Sequence, residues 1–263
     1  MAIYKGNKKV VAVYKGSTPI NKIYKGGTLV FQKSGGGGGS THLFEGTATG
    51  NFNLRINDSK DIPITPDADG KWFYDTDEKI TTLFNSFKDI SAVTSVDLSN
   101  LDLTDISTRY MFDGDSNITS IKFNNTKSMK LKSVDFMFRG CSSLVSLDVS
   151  NWNTSSLTNA SSLFDGCSSL VSLDLGNWNT SSLTNANSLF AGCSSLVSLD
   201  LSLFDTSNIS KPWFTSNMFK NCTSLSTIKC TQAFKDWCIN RQDMIALPAA
   251  MREGGSGTWE IIG

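Results

Sequence analysis

The feature that most constrains this chain is a near-perfect internal repeat of 26 residues. The segment GCSSLVSLDVSNWNTSSLTNASSLFD begins at Gly140 and recurs almost unchanged at Gly166. Degenerate copies extend the array in both directions, with strand positions at 93–98, 118–123 and 225–230. A fixed period of about 20 to 50 residues is typical of solenoids, in which each copy forms one coil of a stack. The repeat therefore predicts stacked coils that share one continuous core.

Two patterns within each copy indicate how a coil is built. The L-x-x-L-x-L spacing directs apolar side chains inward from a short strand and its approach. In the return segment LTNASSLF, apolar residues recur at near-helical intervals, which favours a short helix or 3₁₀ turn. We therefore predict a mixed α/β fold with strand-rich ends. Its centre, residues 87–230, is a leucine-rich-repeat solenoid with one short strand and one short helix or 3₁₀ turn per 26-residue repeat.

Four of the six cysteines share one position of the repeat, so the solenoid should stack them in a column. They are Cys141, Cys167, Cys193 and Cys222. Coils lie about 4.8 Å apart, so a disulfide between neighbours is sterically conceivable. Free cysteine, however, is readily buried as a small hydrophobe, and a spacing of 26 does not suit a metal site. We predict a reduced core ladder, with no metal and no cofactor.

The N-terminal segment, residues 1–33, carries a second and shorter repeat. Tyr4, Tyr14 and Tyr24 each begin a Tyr-Lys-Gly triplet, and the triplets recur every ten residues. Alternating apolar residues between Lys-Gly turns predict short strands in a meander. A segment of this length cannot bury a core of its own. We therefore expect it to dock on a partner or to form a dimer or trimer, with the three tyrosines as anchor residues. A disordered tail is the alternative, and the aliphatic content argues against it.

Three further regions complete the domain organisation. Residues 34–40 include five consecutive glycines and predict a flexible linker, although a linker added for expression has the same composition. Residues 41–86 are expected to form an N-terminal cap. In it FNLRI and KWFYD form a hairpin about an Asp69-Gly70 turn, and a helix runs from an N-cap at Asp75 to about Phe87. Residues 231–263 are expected to form a C-terminal cap. It combines an amphipathic helix, which presents Phe234, Trp237, Cys238, Met244 and Ile245 on one face, with a final strand TWEII.

Composition argues against several function classes. Lysine plus arginine balances aspartate plus glutamate at 24 each, so no global field attracts nucleic acid or an anionic membrane. No apolar run approaches the roughly 18 residues that cross a bilayer. The only histidine, His42, lies beside the glycine run, where we expect no rigid constellation to hold it. With no phosphate-binding loop or nucleophile elbow, we predict a non-enzymatic protein without catalytic residues.

Alternation within the strands directs one set of polar side chains outward. This predicted strip consists of Asp97, Lys122, Ser146, Asp148, Ser172, Asp174, Ser198, Asp200 and Lys229. Three stacked aspartates repel one another unless they are solvated, screened or sharing a cation. A solvated polar ladder is one interpretation of the strip. The other is a contact surface for a host surface glycan or protein, in which the near-identity of the copies favours a repetitive polymer.

The motif LVSLDLxNWNTSSLTNAxSLFxGCSS resembles the 26-residue leucine-rich repeats of BspA-like and mycoplasma lipoprotein-like surface proteins, over about residues 87–230. That resemblance implies surface display, adhesion and partner binding. The Tyr-Lys-Gly decamers resemble short repeats in structural proteins of Bacteroides phages, including crAss-like phages. Together the two resemblances imply a head fibre or capsid decoration, anchored to capsid or other virion proteins by its N-terminus.

The N-terminus MAIYKGNKKVVAVYKG has no apolar h-region and no small-residue cleavage site. This fits a virion protein made in the host cytoplasm, where virions assemble. A bacterial cell-surface adhesin, exported by a route not visible in the sequence, is the alternative.

Overall fold

A computed structural model of the chain describes residues 13–15, 18–20, 22–25, 28–32, 42–57, 61–76, 79–123 and 129–262. The chain divides into two compact units, Met1–Thr41 and His42–Gly263. The first contains short strands, and the second contains the solenoid with its two caps.

The N-terminal unit contains two antiparallel hairpins. Strand β1 (Val13–Lys15) pairs with β2 (Thr18–Ile20), and β3 (Lys22–Lys25) pairs with β4 (Thr28–Gln32). The short strands predicted for this segment are therefore confirmed. Tyr14 lies in β1 and Tyr24 in β3, whereas the side chains of both, and the whole of Tyr4, lie outside the described residues.

The N-terminal cap of the second unit closes the first edge of the solenoid sheet. Its strands are β5 (Phe44–Ala48), β6 (Phe52–Arg55), β7 (Asp61–Ile64) and β8 (Lys71–Tyr74). Strand β5 pairs antiparallel with β8 on one side and with β9 (Val93–Asp97) on the other. The edge of the first coil is thus covered by antiparallel pairing, which removes an open template for aggregation.

Two predictions for this cap are wrong. The hairpin of FNLRI with KWFYD does not form, because Asp61–Ile64 is itself a strand that pairs with β6, which leaves β8 to pair with β5. The helix predicted up to Phe87 is absent from the described residues 79–87. This stretch is the return arm of the first coil, bridged to the next coil at Thr82 and Ser107, and Ile80, Leu83 and Phe87 are buried there. Asp75 instead accepts a hydrogen bond from the backbone N–H of Leu43 (2.8 Å).

The solenoid is strand-rich and has about six turns. Its parallel strands are β9, β10 (Ser120–Lys122), β13 (Ser172–Asp174), β14 (Ser198–Asp200) and β15 (Thr227–Thr231), with β11 (Met129–Lys130) paired to β12 (Trp152–Asn153) beside them. Equivalent residues pair directly, as Ser172 with Ser198 and Ser198 with Thr227. The predicted repeat solenoid is confirmed.

Of the two forms predicted for the return arms, the short helix does not form. Each arm is a run of separate turns, closed by hydrogen bonds of the i to i+3 type that a 3₁₀ turn has. Leu163 N–H donates to Ala160 O (3.3 Å) and Asp165 N–H to Ser162 O (3.3 Å), both within one coil. The intervening N–H groups donate to the next coil, as Phe164 does to Leu189 O (3.0 Å). Beyond its first turn, an α-helix uses its N–H groups for its own i to i−4 hydrogen bonds. Half of the N–H groups bind the neighbouring coil here, so no continuous helix forms and the mixed α/β description of the repeats is not confirmed.

Two ladders of identical residues run through the leucine-rich core. Six phenylalanines stack in sequence, with ring centroids 5.2–6.0 Å apart: Phe87, Phe112, Phe138, Phe164, Phe190 and Phe219. All six cysteines are free and buried, so the predicted reduced ladder is confirmed. Each thiol of the column donates to a phenylalanine carbonyl of the preceding coil, as Cys167 does to Phe138 O (3.1 Å). Burial raises the pKa of the Cys167 thiol, which keeps it protonated.

The C-terminal cap contains helix α1 (Gln232–Ile239) and strand β16 (Thr258–Ile262). Thr231 caps the helix by accepting from Phe234 N–H (3.2 Å), and β16 extends the sheet parallel to β15. The strand predicted at TWEII is confirmed, but the helix ends at Ile239 and Met244 is exposed. Within the described part of the chain, no helix is both long and apolar enough to cross a membrane.

Candidate interaction surface

The sheet side of the solenoid carries three parallel columns of side chains, which we call the strand face. They are Val145, Val171 and Val197; Ser146, Ser172 and Ser198; and Asp148, Asp174 and Asp200. All of these side chains are exposed except that of Asp200, which is half-buried. The leucines between them, such as Leu173, are buried. Each of the three coils presents one valine, one serine and one aspartate. The strand face is therefore a periodic surface that repeats once per coil.

The structure places the predicted strip residues in two groups. Asp97 and Lys122 are register partners in β9 and β10, with Lys122 Nζ 3.5 Å from the Asp97 carboxylate. At the other end, Asp174, Asp200 and Lys229 lie side by side on β13, β14 and β15. Ser146 and Asp148 continue the columns between these groups but lie outside a hydrogen-bonded strand.

Each aspartate of the strip also has a structural role that the sequence argument missed. Asp148 accepts from the backbone N–H of Ser150 (3.0 Å), Asp174 from Gly176 (2.9 Å) and Asp200 from Ser202 (3.0 Å). An aspartate that binds the N–H two residues ahead fixes a turn at the end of a strand. This turn explains why aspartate recurs at this position in the three near-identical copies, and it leaves the second carboxylate oxygen for other partners.

Local hydrogen bonds lower the pKa of two of these carboxylates, Asp148 and Asp200. Hydrogen bonds from the Ser150 hydroxyl and N–H lower the pKa of Asp148. Partial burial opposes ionisation of Asp200, but hydrogen bonds from Lys229 and Ser202 outweigh it and lower the pKa. Lys229 Nζ lies 2.7 Å from Asp200. In the described residues, no group of three acidic, histidine or cysteine side chains is arranged to hold a metal ion.

The valine column is the part of the strand face that sequence reasoning missed. Val145, Val171 and Val197 are 52%, 46% and 45% exposed, although they are aligned by backbone bonds from Val171 N–H to Val145 O and from Val197 N–H to Val171 O. Other coils place Thr94, Thr119 and Ser226 at this position. Because a core position does not accept serine or threonine readily, these polar residues in the other copies could have indicated that the position is exposed.

A protein-family model matches residues 80–172 and 132–246, which together cover well over half of the chain, and its description is "Mycoplasma protein of unknown function, DUF285". The chain belongs to the DUF285 family. This match supports the resemblance to mycoplasma-type repeats and offers no support for the resemblance to phage proteins. Neither curated proteins nor solved structures give a match.

On the opposite side of the DUF285 repeats, the return arms form a second surface, the return face. Its arms are residues 82–89, 107–114, 133–140, 159–166, 185–192 and 214–221. Here opposite charges alternate from coil to coil: Asp113 lies between Lys88 (3.1 Å) and Arg139 (2.6 Å). Arg109 likewise binds Asp135 in the next coil at 2.7 Å. The polar groups of the return face are thus largely consumed by contacts between coils.

Two titratable residues near the start of the DUF285 region have unexpected surroundings. His42 Nδ1 lies 2.8 Å from Asp75 Oδ2, and its ring stacks on Phe73, so the expectation that nothing holds His42 is wrong. Asp115 occupies the position of the cysteine column and is fully buried. Burial, together with the negative charges of Asp89 and Asp113, raises its pKa to about 8, although Ile90 N–H donates to one of its oxygens (2.6 Å).

Proposed function

We propose that this protein is a non-enzymatic display protein whose solenoid presents the strand face for adhesion to a surface glycan or protein. The observation that carries the proposal is the exposed valine column beside a column of exposed serines, repeated at three successive levels and flanked by the aspartate column. An apolar stripe that is exposed on three successive coils is typical of an interaction site. The core ladders hold this surface rigid, so that little ordering entropy opposes binding.

The periodicity favours a repetitive partner. A polymer whose units recur at the spacing of the coils can make the same contact at each level, and several weak contacts then add into useful avidity. A surface polysaccharide has this regularity, and so has a fibrous protein.

We further propose that residues 1–33 anchor the protein and that the anchored form is a virion head fibre or capsid decoration, as the Tyr-Lys-Gly decamers favour. The anchor would bind capsid or other virion proteins, or further copies of the chain as a dimer or trimer. The second candidate is a bacterial cell-surface adhesin, which the resemblance of the repeats to BspA-like surface proteins favours.

The adhesion proposal is tested with a triple variant, Val145→Ser, Val171→Ser and Val197→Ser. These side chains are half exposed, so the fold should tolerate the change. The matched control is Leu203→Ser with Met244→Ser, two exposed apolar residues that are not part of the valine column. We expect adhesion of the labelled protein to host cells to fall at least about tenfold in the triple variant only. Equal adhesion of both variants would contradict the proposal.

The location is tested separately by immunoelectron microscopy with antibodies against the solenoid. Labelled virions support the head fibre, and labelled cell envelopes without virions support the adhesin. The anchor is tested with a truncated protein that starts at Thr41. If it still bound particles and self-associated normally, the anchor role of residues 1–33 would be wrong.

A further inference from the structure

A cleft in the C-terminal cap lies apart from the strand-face residues described above. It has a volume of about 680 Å³ and lies between helix α1, the loop at 252–257 and strand β16. Binding sites for small molecules are typically clefts of about 300–1,000 Å³. The cleft is therefore large enough for one or two sugar rings.

The aromatic residue of the cleft is Trp259, which is partly buried against the core. Strand β16 fixes it through the pairing of Trp259 with Ile228. Lys235 Nζ lies 6.0 Å from the centroid of its ring. The face of an indole ring carries partial negative charge, so it attracts the weakly positive C–H groups of a pyranose as well as an ammonium. A ligand can displace the flexible lysine and occupy that face.

The polar residues of the cleft offer both donors and acceptors. Gln232 Nε2 donates to Asp236 Oδ1 (2.7 Å), which orients the amide beside the carboxylate. Two hydrogen bonds fix the Arg252 side chain: its Nε donates to Leu247 O (2.8 Å) and its Nη1 donates to Asp243 (2.7 Å). A guanidinium has five N–H donors, so others remain for a ligand.

The charges of the cleft balance. Lys235 and Arg252 are matched by Asp236 and Glu253, all of which line it. Such a cleft gives a net attraction to neither an anion nor a cation. Its chemistry instead suits a neutral ligand with many hydroxyl groups, because each hydroxyl both donates and accepts.

Glycines give the cleft a preformed wall. A Cβ on Gly255 would lie 2.3 Å from Ala250 O, and one on Gly257 would lie 2.4 Å from Met251 Sδ. Only glycine therefore lets the loop pack this closely on the turn Ala249–Met251. The wall consists of backbone whose position is fixed before a ligand arrives, which lowers the entropic cost of binding.

We propose that this cleft binds a neutral pyranose, with Trp259 as the stacking surface and Gln232, Asp236 and Arg252 as hydrogen-bonding groups. This inference rests on the proposed adhesion function, for which it names neutral sugars as the ligand class. The cleft itself is a separate site from the strand face.

The test uses the full chain and four disaccharides: maltose, cellobiose, lactose and N,N′-diacetylchitobiose. Each is titrated to about 50 mM, because single sugar sites commonly have millimolar dissociation constants. NMR shifts of the tryptophan indole N–H groups report binding directly. We expect at least one disaccharide to shift the Trp259 signal with saturation. Trp259→Ala should weaken its binding at least about tenfold, and Trp259→Phe should retain most of it.

Two further variants keep the result interpretable. Asp236→Ala removes an exposed carboxylate on a helix that remains capped by Thr231, and it should weaken binding without lowering the melting temperature. Trp213→Ala removes a tryptophan that is 60% exposed and does not line the cleft, and it should leave binding unchanged.

The proposal is overturned if none of the four disaccharides shifts the Trp259 signal, or if binding survives both Trp259→Ala and Asp236→Ala. The strand-face variants distinguish the two proposals. If the triple valine variant still adheres while disaccharides bind the cleft, the strand-face proposal fails and the cleft stands. If adhesion depends on the valines but no disaccharide binds, only the cleft fails.

Discussion

The strand face and the return face are built from the same repeat, yet they use their polar groups in opposite ways. On the return face, charges of opposite sign pair between coils, and every second backbone N–H binds the neighbouring coil. On the strand face, the valines project into solvent, and Asp148 and Asp174 each use one oxygen to bind their own turn. Only Asp200 also binds a neighbouring coil within the described residues, through Lys229. The side chains of the return face therefore stabilise the stack of coils, whereas the exposed side chains of the strand face can contact a partner.

This comparison predicts that substitutions on the return side are costly and that those on the strand face are not. The largest expected effect is at Asp115, the buried acid that directly follows the return arm 107–114. Its pKa is raised from 3.8 to about 8, and one of its oxygens has no hydrogen-bond partner among the described residues.

Between pH 3.8 and about pH 8, Asp115 stays protonated in the folded protein but is ionised in the unfolded chain. Stability therefore falls as pH rises from about 4 to about 8 and then levels off, by a total of up to about 5 kcal/mol. Asp115→Asn keeps the acceptor for Ile90 N–H and cannot ionise, so its unfolding free energy should lack this slope. Guanidinium denaturation at pH 5, 6, 7, 8 and 9 measures the difference from the unmodified protein. Parallel pH profiles would contradict the assignment.

Substitution of three glycines tests the return face, and we expect effects on stability that are smaller than that of Asp115. Gly192 has φ +73°, and a Cβ there would lie 3.1 Å from Gly166 Cα. Gly254 has φ +76° with open space around it, and Gly50 has open space without a positive φ. Substitution by alanine should cost about 2–3 kcal/mol at Gly192, about 1 kcal/mol at Gly254 and less than about 0.5 kcal/mol at Gly50. Equal costs at Gly192 and Gly254 would show that close packing of the coils contributes nothing.

The smallest expected effect is on the strand face. Asp148→Ala removes the acceptor of the turn N–H of Ser150 and should cost about 0.5–1 kcal/mol. Asp148→Asn keeps a carbonyl oxygen for that N–H and should cost less. Thermal unfolding of the two variants checks the order. If asparagine cost as much as alanine, the charge rather than the turn would stabilise this position.

Much of the fold could be predicted from the sequence because the repeat fixes register. Once Cys141, Cys167 and Cys193 share one position, stacking alone places them in a column, and the same holds for the phenylalanines. The form of the return arms could not be predicted in this way. Apolar residues at intervals of three and four suit both a helix and a run of separate turns, and hydrogen bonds to the neighbouring coil decide between them.

The sites were less accessible to sequence reasoning, for physical reasons that differ between residues. Outward alternation found Ser172 and Asp174, but it did not show that Asp174 fixes its own turn. His42 was misjudged because its partners, Phe73 and Asp75, lie far along the chain and approach only through β5 and β8. Asp115 did leave a signal, since a carboxylate in the register of a buried cysteine column must either pair or stay protonated.

Hydroxyl-radical footprinting of the full-length protein, free and bound to the cells to which it adheres, tests most directly which face makes the contact. In the free protein, Val145, Val171 and Val197 should be oxidised readily, because all three are about half exposed. On binding we expect these three residues to become protected, while Tyr110 and Phe136 on the return face keep their reactivity. Protection of Tyr110 and Phe136 with unchanged oxidation of the three valines would contradict the account.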